Sequence, residues 1–125
     1  MIAMSNWKFV DGSGLSSQNR VNAIELTQLL FALQSEPYYQ TYYQSLPVGG
    51  NKDRLIGGTL KSRFNATNLQ GRIIAKTGYI ENVNTLTGYM KGNSGKQYIF
   101  SILIQNQKSG ISHIDNTVAA LMKQL

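Results

Sequence analysis

Lys76, Thr77 and Gly78 carry more chemistry than any other tripeptide of this sequence. An ammonium beside a hydroxyl attracts a carboxylate and hydrogen-bonds to it. A glycine next to them lets another backbone come close to the strand. The following residue, Tyr79, presents a backbone N–H that can meet negative charge developing on a carbonyl oxygen. Three residues alone arise often by chance, so context decides their weight. Here Ile73-Ile74-Ala75 reads as a strand, with the tripeptide at its end, and a turn and a second strand follow. Asn82, Asn84 and Thr85 come next and fit either the rim of a cleft or simple turn and strand positions. His113 is the only histidine and there is no cysteine. A metal cage, a disulfide and a thiol nucleophile therefore have no support, and a Ser–His–Asp triad around His113 has no positional support. Carboxylate recognition by Lys76 and Thr77 needs no cofactor.

The elements around this tripeptide read as helices first and strands later. Asn22 and Glu25 have the spacing of a helix start, and residues 22–35 carry a broad apolar face of Ile24, Leu26, Leu29, Leu30, Phe31 and Leu33. Tyr38-Tyr39 and Tyr42-Tyr43 are two pairs spaced by four, which stack on one face of a helix. Packing in a core or interface is the simplest use for them, and a sugar- or base-stacking platform is the alternative. Residues 55–64 predict a further short helix. Three strands follow, over 72–78, about 84–91 and about 96–105. Gly92-Asn93-Ser94-Gly95 joins the last two as a hairpin. The third strand is apolar on both faces, Tyr98, Phe100, Ile102 and Ile104 against Ile99 and Leu103, so it requires a layer on each side. A helix over about 111–124, with Ile114, Val118, Leu121 and Leu125 on one stripe, closes the chain. The pattern predicts an α+β fold, an antiparallel sheet flanked by helices, in a single domain or part of one spanning 1–125.

Composition narrows the function classes. Hydrophobic residues make up 42% and charged residues 14% of 125 residues, which excludes the disordered class, and the short apolar runs exclude a bilayer span. Residues 1–4 are too short for an export signal before Trp7 and Lys8, so any such signal lies outside this chain. The formal charge of +6 comes from twelve scattered Lys and Arg. A solvated surface accounts for scattered charge. The charge and the tyrosine pairs also leave open a small basic module that binds nucleic acid or a cell-wall polymer.

Asp11-Gly12-Ser13-Gly14-Leu15-Ser16, then Gly58-Thr59-Leu60, then Lys76-Thr77-Gly78, together resemble the class C penicillin-binding D-alanyl-D-alanine carboxypeptidases, peptidase family S13. The resemblance runs from about Phe9 to the end and includes the final hairpin and helix. It implies the C-terminal portion of a penicillin-binding catalytic domain of the transpeptidase fold, from a protein of the cell envelope or outside the cell. The implied substrate is a peptidoglycan stem peptide, with β-lactams binding in its place and no nucleic acid, cofactor or metal involved. Lys76 and Thr77 would bind the substrate carboxylate, Lys76 would also tune proton transfer, and Tyr79 N–H would form half of an oxyanion hole. The loop 11–16 serves as a family marker without a catalytic role.

Such enzymes combine a Ser-x-x-Lys nucleophile, a Ser-x-Asn element and the Lys-Thr-Gly strand. Ser5-Asn6-Trp7-Lys8 and Ser17-Gln18-Asn19 match the first two in letters. Residues 9–14 contain too many turn formers to continue a helix from Ser5, and both matches stand where the family has its 11–16 loop. The chain by itself is therefore expected to lack the nucleophile and to be inactive. A non-catalytic relic of the same fold is the other reading. A sheet lacking strands from elsewhere would expose an edge, so self-association through that edge is also expected.

Overall fold

The computed structural model describes residues 6–125. Asn22 starts the first helix as its spacing predicts. Its side-chain oxygen accepts the N–H of Glu25 at 2.8 Å, and α1 runs Ala23–Leu33. The reciprocal half of the capping box is absent. Glu25 is buried instead, and one of its carboxylate oxygens has no partner among the described residues. The broad apolar face narrows too. Leu30 is buried, but Ile24 and Phe31 are 71% and 69% exposed, because only one side of α1 meets the sheet.

The tyrosines lie on and beside α2 (Tyr39–Ser45). Tyr39 and Tyr43 both meet Tyr89 edge-on, at centroid distances of 6.0 and 5.2 Å. With Tyr42 they are partly buried against the core, so of these four tyrosines Tyr38 alone is exposed, and the two pairs form no open stacking face. The single helix expected over 55–64 is two pieces: α3 (Arg54–Gly57) and a 3-10 turn over Gly58–Leu60. Gly58 breaks it with φ 49° and ψ −125°. Gly57 is fixed by crowding, since a Cβ there would stand 1.9 Å from the Asn51 carbonyl oxygen.

Strands β1 (Ile73–Ile80), β2 (Val83–Lys91) and β3 (Gln97–Gln105) form one antiparallel sheet in the order β1-β2-β3. Ile80 pairs with Val83, so Glu81 and Asn82 make a two-residue turn, with Asn82 at φ 60°. The Lys-Thr-Gly tripeptide therefore lies within β1 rather than at its end. The hairpin between β2 and β3 closes at Gly92, whose N–H donates to Lys96 O at 2.8 Å.

One face of the sheet places Ile73, Ala75, Leu86, Met90 and Phe100 against Leu60, Phe64 and α4 (Gly110–Gln124). The other face buries Tyr89, beside Ile74 and Ile99, under Leu30 of α1 and the tyrosines of α2. This is the two-sided burial that β3 requires, and it makes the fold the expected α+β sheet with helical layers. The stripe of α4 is Ile114, Val118 and Met122, all buried. Leu121, expected on it, is 42% exposed. Met122 takes that place on the stripe and is 2% exposed.

Candidate functional site

The edge of β1 is covered for half its length and open for the rest. Gly49 N–H donates to Ile73 O at 2.8 Å, and Ala75 N–H donates to Pro47 O at 3.0 Å. Pairing stops there because Pro47 has no N–H to return and Leu46 closes α2. Main-chain direction alternates along a strand, so residues 73, 75, 77 and 79 face outward and 74, 76, 78 and 80 bond β2. Among the described residues the N–H groups of Thr77 and Tyr79 thus point outward with no main-chain partner.

The side chains alternate as well. Thr77 and Tyr79 project on the α4 face, where Thr77 Oγ1 donates to Thr59 Oγ1 at 3.0 Å. That bond joins the Gly-Thr-Leu turn to the Lys-Thr-Gly strand across 18 residues of sequence. A shallow cavity of about 160 Å³ lies there, lined by Thr59, Thr77, Gly78 and Tyr79 among others. Lys76 projects on the opposite face, beside Thr87, its partner on β2. It is exposed, and its ammonium donates to Thr77 O at 2.8 Å, on the open edge. The ammonium and hydroxyl therefore do not sit side by side as one pair. They flank the open edge from its two faces. Gly78 has a reason inside the sheet: a Cβ would stand 2.3 Å from Thr85 Oγ1.

The loop over 11–19 is braced by Asp11. Its carboxylate accepts from Asn19 Nδ2, Ser13 Oγ, Gly14 N and Ser16 N. The Asn19 amide, with Ser13 and the two backbone donors adding to it, holds the Asp11 carboxyl below its ordinary value. Asn19 also accepts the Val10 N–H at 2.8 Å. Both ends of that amide are engaged in holding the loop, which is a structural use of the Ser17-Gln18-Asn19 segment. Ser5 lies outside the described residues. His113 stands exposed in the first turns of α4, where its N–H donates to Ser109 O. Asn84 and Thr85 line the cavity at Thr77, and Asn82 rims a neighbouring one.

Two contributors were not legible in sequence. Pro47 ends the covered part of the edge, and its position opposite Ala75 depends on a loop 28 residues upstream. Arg63 lines the cavity and is clamped by Asp115 of α4, with Nε at 3.0 and 3.1 Å from the two carboxylate oxygens. An arginine 52 residues from its aspartate carries no local mark of the pairing.

The model of the D-Ala-D-Ala carboxypeptidase 3 (S13) family matches residues 1–125. The chain belongs to this S13 family. A D-alanyl-D-alanine carboxypeptidase of Actinomadura sp. (strain R39) is 44% identical over 100 residues, covering 80% of this chain and 18% of that protein. Penicillin binding protein 4 of Haemophilus influenzae shares the fold, with a TM-score of 0.82 at 24% identity, over 97% of this chain and 28% of that one. A second structure of that protein, complexed with a β-lactam, gives a TM-score of 0.75 at 27% identity, over 87% of this chain and 24% of that one. The chain thus spans between 18% and 28% of the length of these S13 and penicillin-binding relatives. The fold expected from the 11–16 loop, the Gly-Thr-Leu turn and the Lys-Thr-Gly strand is theirs. No helix among the described residues is long and apolar enough to cross a membrane.

Proposed function

We propose that this chain supplies one wall of the substrate cleft of a serine-type D-Ala-D-Ala carboxypeptidase acting on peptidoglycan stem peptides in the cell envelope. The supporting observation is the open half-edge of β1. An extended peptide laid along it meets the N–H groups of Thr77 and Tyr79 as a further strand would. Its terminal carboxylate lies within reach of the Lys76 ammonium from one face and the Thr77 hydroxyl from the other. The Lys76 ammonium gives up only a bond to its neighbour's carbonyl to take that role. The Tyr79 N–H is free for the carbonyl oxygen of the scissile amide, which gathers charge as a nucleophile adds to it. Gly78 keeps side-chain bulk away from the reacting bond. A β-lactam carries a carboxylate and a reactive carbonyl and uses the same donors, and the β-lactam complex of the Haemophilus relative supports this.

The acyl-enzyme step needs a serine hydroxyl and a base beside it. Neither Ser5 nor the engaged Ser17-Gln18-Asn19 segment is assigned to it, so the isolated chain binds without turning over. Fluorescent-penicillin labelling of the purified chain is expected to give no covalent adduct. Labelling that disappears in Ser5→Ala would overturn the assignment. The second expected property is self-association. The outer edge of β3, nine residues without charge, proline or glycine, has no main-chain partner among the described residues.

A further inference from the structure

Beside the carboxylate site, on the α4 face, a second groove of about 260 Å³ runs between the β1–β2 turn and the start of α4. It shares Tyr79, Asn84 and Ile111 with the cavity at Thr77, so the two form one continuous surface. No charged side chain lines it, although the chain carries a formal charge of +6. Tyr79 stands in it 76% exposed, an aromatic ring that intramolecular packing does not explain. Around the ring are three amides, Asn82, Asn84 and Gln107, and the hydroxyl of Ser109. None of these four side chains makes a hydrogen bond within the described residues, whereas the polar side chains of the 11–19 loop are largely bonded to one another. Asn84 is wedged under Gly110, where a Cβ would stand 2.7 Å from its Nδ2. Asn82 and Ser109 sit at bends with φ of 60°. Ile111, 47% exposed, adds a small apolar surface beside the amides.

A neutral ligand with an apolar face and a ring of hydroxyls suits this lining. Planar amides serve such hydroxyls as both donor and acceptor, and an aromatic ring contributes apolar area at little entropic cost. We propose that the groove binds an N-acetylhexosamine ring, with Tyr79 against its C–H face, Asn82, Gln107 and Ser109 on its hydroxyls, and Ile111 against the acetyl methyl. This rests on the carboxypeptidase reading for its natural ligand, the glycan that carries the stem peptide, and it places sugar and carboxylate on adjoining parts of one surface.

The test is amide-shift mapping on the full chain labelled with 15N, titrated separately with the N-acetylglucosamine trimer, with maltotriose and with a peptide ending in D-Ala-D-Ala. The trimer is expected to give saturable shifts at Asn82, Gln107 and Ser109, with maltotriose clearly weaker. Gln107→Ala is expected to weaken the trimer roughly fivefold to tenfold, the loss of one hydrogen bond. Asn82→Gly, which keeps the turn, should do the same. No saturable response to millimolar trimer, equal response to maltotriose, or the same shifts from the peptide would each overturn the proposal. A peptide that moves Thr77 while the trimer moves nothing sinks the sugar site alone. A trimer response with no peptide response sinks the carboxylate site alone.

Discussion

Two glycines on neighbouring strands show how differently one residue type can be constrained. A Cβ at Gly88 would stand 2.3 Å from Ile74 O and 2.5 Å from Ala75 Cα, both backbone atoms of β1. Backbone in the middle of a sheet yields only by distorting the ladder, so Gly88→Ala is expected to cost about 1–3 kcal/mol. At Gly78 the closest atom is Thr85 Oγ1, the end of a side chain that can rotate away. Gly78→Ala should cost about 1 kcal/mol or less while reducing peptide binding at the edge. Urea unfolding of both variants checks the order, and a Gly78→Ala variant less stable than Gly88→Ala would contradict it. The sequence shows both glycines and only one of them in a motif. It could not show that the unmarked one matters more to the fold.

At the scale of elements, the tyrosine cluster ties α2 to β2. Tyr89 is 1% exposed, and its hydroxyl donates to Leu30 O at 3.1 Å. Burial, with Tyr39 adding repulsion between ionised rings, pushes its pKa well above the ordinary 10.0. Burial raises Tyr42 and Tyr43 as well. The unfolded chain releases these protons first, so the folded state holds more of them above pH 10. This stabilisation is complete below pH 10 and falls away as pH climbs from there towards the raised values. Circular dichroism is expected to show cooperative alkaline unfolding above pH 10, with a smaller pH dependence in Tyr89→Phe. That variant should also lose about 1 kcal/mol at neutral pH with the buried hydrogen bond. An identical alkaline profile for the variant would count against the cluster's role. The four-residue spacing of the tyrosines predicted one helical face. Their partner on β2 came from the fold, since Tyr89 lies 50 residues from Tyr39 in sequence.

For the molecule as a whole, the two edges of the sheet differ. The outer edge of β1 is half covered by the segment at Pro47 and half open at the proposed peptide site. The outer edge of β3 is open throughout among the described residues. Residues 99, 101 and 103 direct their N–H groups away from β2, by the same alternation that sets β1. Light scattering over a concentration series is expected to show mass rising above that of a monomer. Leu103→Pro removes an outward N–H without touching the β2 ladder and should lower that rise. A constant monomer mass at every concentration would refute pairing through this edge.

The order of helices and strands, the hairpin between β2 and β3, the start of α1 at Asn22 and the family were all readable from local pattern. Each depends on residues close together in the chain. The side of β1 that stays open, the bond from Thr77 to Thr59, the placing of Lys76 and Thr77 on opposite faces of the edge, and the uncharged groove at Tyr79 were settled only by the tertiary structure. Each depends on which distant segment lies against which strand. That choice is made by packing of the whole core, and no short stretch of sequence encodes it.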